Sequence, residues 1–267
     1  MSTDLAAQAA AANNAILSDP APHIDQPGSV KVELLRGLLM PNSEAWQTTA
    51  TVRELTGADE EALSAYDVRN DVTYSEYMSQ LLKRAVVKIG EIEVADNVEI
   101  VDKLIIGDRD VLFMGIIKAT YGRYREFDVT CRECEGKNSI TVDLEKDFPI
   151  DEPKEDIHKN MSVKLKNGQV VELSYPTGAD SQAVSKKAKT TAEQNTIMLA
   201  RCAVLDDKNP TKAEAWARGL SLADRNKLVK VLLSAQPGPR MEEVKTQCAH
   251  CNANIVLALD WVSLLFG

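Results

Sequence analysis

The sequence predicts an α+β fold organised as a tandem pseudo-repeat of helices, each copy ending in a β-hairpin knuckle. Three observations carry this expectation. Two CxxC pairs, Cys131-Arg132-Glu133-Cys134 and Cys248-Ala249-His250-Cys251, stand 117 residues apart. Each pair lies between runs that alternate polar and apolar residues, the period of a half-buried strand. Related phrases also precede both pairs in the same order. Thr56-Gly57-Ala58-Asp59-Glu60-Glu61-Ala62-Leu63-Ser64 answers Thr177-Gly178-Ala179-Asp180-Ser181-Gln182-Ala183-Val184-Ser185, and Gly107-Asp108-Arg109-Asp110-Val111-Leu112 answers Ala223-Asp224-Arg225-Asn226-Lys227-Leu228. Beyond the cysteines, Val142-Asp143-Leu144 answers Leu259-Asp260-Trp261.

Taken in order, the chain divides at 1–30, 31–150 and 151–267. Residues 4 to 17 have strong helix propensity, with Asp4 to cap them and Ser18-Asp19-Pro20 to stop them. A helix with so few large side chains is marginal alone. Residues 18 to 30 carry Pro20, Pro22, Pro27 and Gly28, which is linker composition. Val52–Leu55 reads as a short strand. After Thr56-Gly57, the acidic Asp59, Glu60 and Glu61 suit the positive end of a helix dipole. Tyr74 to Val87 reads as a helix with Tyr77, Leu81, Leu82, Ala85 and Val86 on one apolar stripe. A third helix is expected from Arg109 to about Thr120, capped by Asp108 and ended by Tyr121-Gly122. Hairpin strands follow at 125 to 130 and 139 to 144. Asp151 to Lys159 is a candidate hinge. In the second copy a strand at Val170 to Ser174 leads into one long helix from Ala179 to about Asp206. A short helix near Lys212 to Arg218 follows. Leu222 to Ala235 is a further helix, with Ser221 and Asp224 at capping-box spacing. Pro237-Gly238-Pro239 breaks the chain before hairpin strands at 242 to 246 and 255 to 259.

The knuckle spacing points to metal. One CxxC turn supplies two thiolates, and a structural zinc takes four ligands in a tetrahedron. Cys131, Cys134, Cys248 and Cys251 together complete one all-thiolate site, making the paired hairpins a zinc ribbon with one structural zinc per chain. The competing readings are a disulfide or free thiols. A redox dithiol would call for a βαβ context that this chain lacks. Gly136 and Asn252 stand near the positions where a knuckle wants a left-handed residue. His250 reads as a solvent-facing spacer. Cys202, inside a helical run, reads as a small buried residue.

Composition excludes several function classes. A hydrophobic content of 44% with 27% charged residues is that of an ordinary globule. No apolar run approaches the ~20 residues that cross a bilayer, and no export signal is visible, so the cysteines are expected reduced. A net charge of −9 argues against nucleic acid, whose binders gather Lys and Arg to neutralise phosphates. The Lys186-Lys187-Ala188-Lys189 cluster reads as a solvated helix face.

No catalytic residues are expected. The chain has three histidines, His23, His158 and His250. It carries no nucleophile elbow, phosphate-cradling Gly-rich loop or His-Glu-x-x-His helix. The repeated Asp108-Arg109 and Asp224-Arg225 pairs read as a cap and an ion-pairing arginine rather than as catalytic groups. Four thiolates would leave zinc no open position for water.

The run from Val52 to Leu144 resembles the base plate protein family of contractile-tailed bacteriophages. The likeness rests on Arg53-Glu54-Leu55-Thr56-Gly57-Ala58-Asp59-Glu60-Glu61, on Leu81-Leu82-Lys83-Arg84-Ala85-Val86-Val87-Lys88, and on Ile106-Gly107-Asp108-Arg109-Asp110. It continues through Ala119-Thr120-Tyr121-Gly122 and Phe127-Asp128-Val129-Thr130-Cys131-Arg132-Glu133-Cys134. The knuckle departs from the family's Cys-Pro-x-Cys-Gly wording. The resemblance implies a structural or assembly subunit of the central baseplate hub. Its partners would be other baseplate and tail proteins, without nucleic acid or membrane, first in host cytoplasm and then in the virion. The Thr-Gly-Ala-Asp-Glu-Glu phrase is also similar to tail assembly chaperones, which keeps a non-virion chaperone as the alternative. A zinc-ribbon regulator that binds nucleic acid is a further one, opposed by the acidic ribbon strands.

Overall fold

The computed structural model describes residues 27–40, 45–67, 72–153, 155–240 and 243–266. The helix expected over 4 to 17, and nearly all of the linker after it, lie outside these residues. The fold is mixed α+β, with small antiparallel sheets.

The described chain begins with β1 (Ser29–Leu39) and returns as β2 (Trp46–Arg53), paired from Ser29 opposite Arg53 to Leu39 opposite Trp46. The expectation of one short strand ending at Leu55 therefore missed β1. Val30, Val32 and Leu34 do alternate with Ser29, Lys31 and Glu33. The doublets Leu34-Leu35 and Leu38-Leu39 then hide the period around a register shift between Glu33 and Leu38. Gly37 sits in that shift at φ 73, where a Cβ would fall 2.0 Å from the Gln47 carbonyl oxygen, so the bend requires glycine.

Helix α1 (Gly57–Asp67) starts behind Thr56, and α2 (Tyr74–Ala85) starts at a capping box formed by Thr73 and Glu76. The α2 stripe is buried at Leu81, Leu82 and Ala85, all 0% exposed. The helix stops at Val86, where β3 (Val86–Ile89) joins β2, and β4 (Ile92–Glu93) completes the sheet order β1-β2-β3-β4. Two 3-10 turns, Val94–Asp96 and Val98–Lys103, lead into α3 (Ile106–Tyr121), which Gly122 ends at φ 85. Helix α3 lies against β1 so closely that a Cβ on Gly115 would come within 2.6 Å of Val32 Cγ2. The first hairpin is β5 (Tyr124–Thr130) and β6 (Lys137–Asp143), followed by the short β7 (Ile150–Asp151).

The later part opens with the hairpin β8 (Met161–Lys164) and β9 (Val170–Leu173). The single long helix expected after Ala179 is instead two: α4 (Gly178–Lys187) and α5 (Thr191–Cys202). The Ala188 amide closes α4 on the Val184 carbonyl, and Thr190 opens α5 through a capping box with Glu193. Threonine hydroxyls compete for backbone groups, so Thr190-Thr191 favours a new start over continuation. Then come α6 (Pro210–Gly219), α7 (Leu222–Ser234), β10 (Gly238–Pro239), the second hairpin β11 (Val244–Gln247) and β12 (Asn254–Leu257), and α8 (Trp261–Phe266).

Two cores organise these elements. The larger joins the four-stranded sheet, α2 and α3 with Phe127, Val142, Leu144 and Phe148, and it also takes in Leu264 and Leu265 of α8. The smaller gathers β8 and β9 with Leu199, Cys202, Ala217, Leu228 and Leu232. The last helix therefore packs with the first part of the chain, where the Trp261 and Phe113 rings meet edge-on at 5.0 Å. Further ties are a bridge between Ile105 and Thr177, the bond from the Gly178 amide to the Leu104 carbonyl, and the pairing of β10 with β7. This interlocking carries the second hairpin to the first.

Candidate metal centre

Each knuckle is one tight turn held by its own backbone. In the first, the Cys131 amide donates to the Gly136 carbonyl at 2.9 Å and the Glu135 amide to the Cys131 carbonyl at 3.0 Å. In the second, the Cys248 amide donates to the Ala253 carbonyl at 2.8 Å and the Asn252 amide to the Cys248 carbonyl at 2.9 Å. The left-handed residues are Glu135 at φ 56 and Asn252 at φ 59. Glu135 thus occupies the conformation that Gly136 was a candidate for. Gly136 serves packing instead, because a Cβ there would lie 2.4 Å from His250 Cδ2.

The fold brings all four cysteines together. Their Sγ atoms lie within 4.8 Å of one another, with Cys131 to Cys251 and Cys134 to Cys248 each at 3.7 Å. A tetrahedral site with metal–sulfur bonds of about 2.3 Å has sulfur–sulfur edges of about 3.8 Å. A disulfide would need about 2.05 Å. The separations therefore fit a tetrahedron around one ion and exclude bridged cysteines, in keeping with free thiols at all five positions. Cys131 and Cys248 are buried, whereas Cys134 and Cys251 face outward. A small apolar cluster of Ile140 and Ile255 packs under the buried pair.

The electrostatics match a cation site. The His250 amide, helped by the Cys251 amide and the Asn138 side chain, draws the Cys248 thiol down to about 6. The Ala253 amide favours the Cys251 thiolate, yet Cys134 and the other neighbouring thiols outweigh it and hold Cys251 up at about 12. Cys134 is raised too, against the pull of the Gly136 amide. One thiolate is stabilised, and its charge opposes ionisation of the others. A bound dication removes that conflict and allows four thiolates. The donor set fits a thiophilic ion such as zinc.

Two further side chains join the knuckles, and no motif announced either. Asn138 on β6 accepts from the Ala249 amide at 2.9 Å and donates to the Gly136 carbonyl at 2.9 Å, with Cys248 Sγ at 3.5 Å. His250 Nε2 lies 3.0 Å from the Lys137 carbonyl oxygen. His250 is exposed, as expected of a spacer, but it also contacts the opposite hairpin.

The Asp-Arg pairs are structural, and Asp108 is not the cap it was expected to be. The helix begins before it, at Ile106, and its carboxylate reaches back to β1. There it accepts from the amides of Leu35 at 2.6 Å, Arg36 at 3.2 Å and Gly37 at 2.8 Å. Burial raises its pKa against the pull of those amides. Asp224 accepts from the Lys166 amide in the β8–β9 turn and from the Ser221 hydroxyl, so it serves both hairpin and helix start. Arg109 is buried and bonds the Asp102 carboxylate, the Ser79 hydroxyl and the Ser75 carbonyl. Arg225 bonds the Thr196 hydroxyl and the Ala192 carbonyl. Ala192 and Thr196 each stand 117 residues after Ser75 and Ser79. No helix among the described residues is long and apolar enough to cross a membrane.

Comparison with known proteins adds one match. The family model described as T4 bacteriophage base plate protein matches residues 40–266. No curated protein and no solved structure matches the chain.

Proposed function

Because the chain belongs to the T4 bacteriophage base plate protein family, we propose that it is a non-enzymatic subunit of the central hub region of a phage tail baseplate, built into it or helping to build it. The family match over most of the chain carries this reading, since such proteins act by holding other tail proteins in place. Its partners are neighbouring baseplate and tail proteins, met in the host cytoplasm during assembly and retained in the virion tail.

One zinc ion per chain, held by Cys131, Cys134, Cys248 and Cys251, clamps the two hairpins into a ribbon. When bound, it supplies cross-linking rather than chemistry, because four thiolates leave no position for water. Segments 31–150 and 151–267 are diverged copies of one unit. The contacts of Arg109 and Arg225 support this, since their helix partners Ser75 and Ser79 stand 117 residues before Ala192 and Thr196, as do Arg84 to Asp59 and Arg201 to Asp180, whose arginines are 117 residues apart. The helix-prone stretch over 4 to 17 docks on a partner.

The decisive experiment is metal content and melting of the purified protein, with and without a strong chelator, beside Cys248→Ser. One zinc per chain, lost in the variant with a large drop in melting temperature, is expected. No bound metal together with an unchanged melt would refute the clamp. Purified tails containing the protein would separate a structural subunit from an assembly chaperone, which would be absent from them.

A further inference from the structure

We propose that Asn138 and His250 form a latch that holds the two knuckles in register before metal arrives, with Asn138 the positioning residue for Cys248. This deepens the metal reading above and rests on it for its affinity arm alone. Each hairpin sends one side chain into the backbone of the other. Asn138, from the first, receives the Ala249 amide of the second at 2.9 Å. His250, from the second, meets the Lys137 carbonyl of the first at 3.0 Å. Neither contact involves a metal ligand as its partner, so both persist when the site is empty. Gly136 makes the second possible, since any larger residue would strike the His250 ring.

The orientation of the Asn138 carboxamide is fixed by its neighbours. Its oxygen must face the Ala249 donor, which leaves the amide nitrogen to the Gly136 carbonyl and to Cys248 Sγ. Asn138 is 9% exposed, so water replaces these partners poorly. The His250 amide approaches the same sulfur at 3.4 Å. Cys248 thus has two N–H donors aimed at its buried sulfur from outside the coordination sphere, which makes it the fixed corner against which the others close. The position 117 residues after Asn138 is Ile255, whose side chain has no donor to offer Cys131. The centre is thus built asymmetrically, with the second knuckle's buried sulfur set by the first hairpin's side chain. Hydrogen bonds to a ligand from outside the coordination sphere typically raise metal affinity by roughly 10–100-fold.

The test uses the full chain, with cobalt(II) as the probe because its thiolate charge-transfer bands report each site directly. Affinity is measured by competition with a chelator, and amide exchange at Ala249 is followed in metal-free protein. Asn138→Ala should weaken cobalt binding roughly 10–100-fold, shift the charge-transfer bands and expose the Ala249 amide. Asn138→Asp keeps the acceptor and loses the donor. It should preserve Ala249 protection while still weakening cobalt. His250→Ala should give a smaller loss of affinity and no spectral change. Unchanged affinity and exchange in Asn138→Ala would overturn the latch. If the wild type binds no cobalt, the zinc clamp fails by itself. Ala249 exchange in wild type against Asn138→Ala then still decides the latch.

Discussion

Arg109 and Arg225 make the same kind of contact in two different settings. Each guanidinium reaches a hydroxyl and a carbonyl one turn apart on a neighbouring helix, Ser79 with Ser75 or Thr196 with Ala192. Arg109 is 3% exposed, inside a network that adds Asp102, the Val101 carbonyl and, through Ser79, Gln182 from the later part of the chain. Arg225 is only half-buried. A charge sealed from water depends on its partners, whereas a wet one can exchange them for solvent. The comparison teaches that one local phrase can carry different weight according to what the rest of the fold places over it.

The largest effect expected is at Arg109. Arg109→Ala strands the buried Asp102 and should destabilise by about 3 kcal/mol, the low end for a broken buried pair. The low end applies because Lys83 Nζ remains 3.0 Å from Asp102. Arg225→Ala removes ordinary hydrogen bonds and should stay near about 1 kcal/mol. Urea midpoints of the two variants test this directly, and equal losses would break the comparison.

Next in size is the interlock. Leu264 is 0% exposed and sits in the first core although it lies at the end of the chain. Leu264→Ala should lose about 2 kcal/mol, the low end for truncated core leucines. Leu233, 70% exposed on α7, should tolerate the same change with almost no loss. A thermal melt of Leu264→Ala without any shift would mean that α8 does not anchor the second hairpin.

Much of this was legible in the sequence because it depends on local signals. The cap at Ser221, the alternation around each CxxC pair and the meeting of the four cysteines follow from spacing alone. The strand β1 was not legible, because the doublets around its irregular bend erase the two-residue period. The break between α4 and α5 was hidden by good helix formers flanking Thr190. Asp108 looked like a cap because caps and strand-holding carboxylates share composition; only the fold brings β1 within its reach. Asn138 carried no motif at all, since its function depends on a residue 111 positions away, Ala249.

The smallest effect sharpens the comparison through pH. Asp59 is held by two bonds from Arg53, one from Arg84 and the Thr56 amide. Burial pushes its pKa up, but these partners outweigh it and keep the carboxylate well below the usual range. Asp180, which follows Thr177 as Asp59 follows Thr56, has Arg201 and Thr177 but, among the described residues, no second arginine; Ser174 stands three residues before Thr177 where Arg53 stands three before Thr56. A carboxyl with a lowered folded pKa stabilises the fold at pH above its unfolded value, about 3.9, and loses that contribution as pH falls through the folded value. Asp59→Asn should therefore destabilise at pH 6 and progressively less at lower pH, so the gap from wild type narrows in acid. Asp180→Asn should open a smaller gap at pH 6. Urea midpoints at pH 6 compare the two variants, and a gap for Asp59→Asn that widens between pH 6 and pH 3 would reverse the sign of the argument.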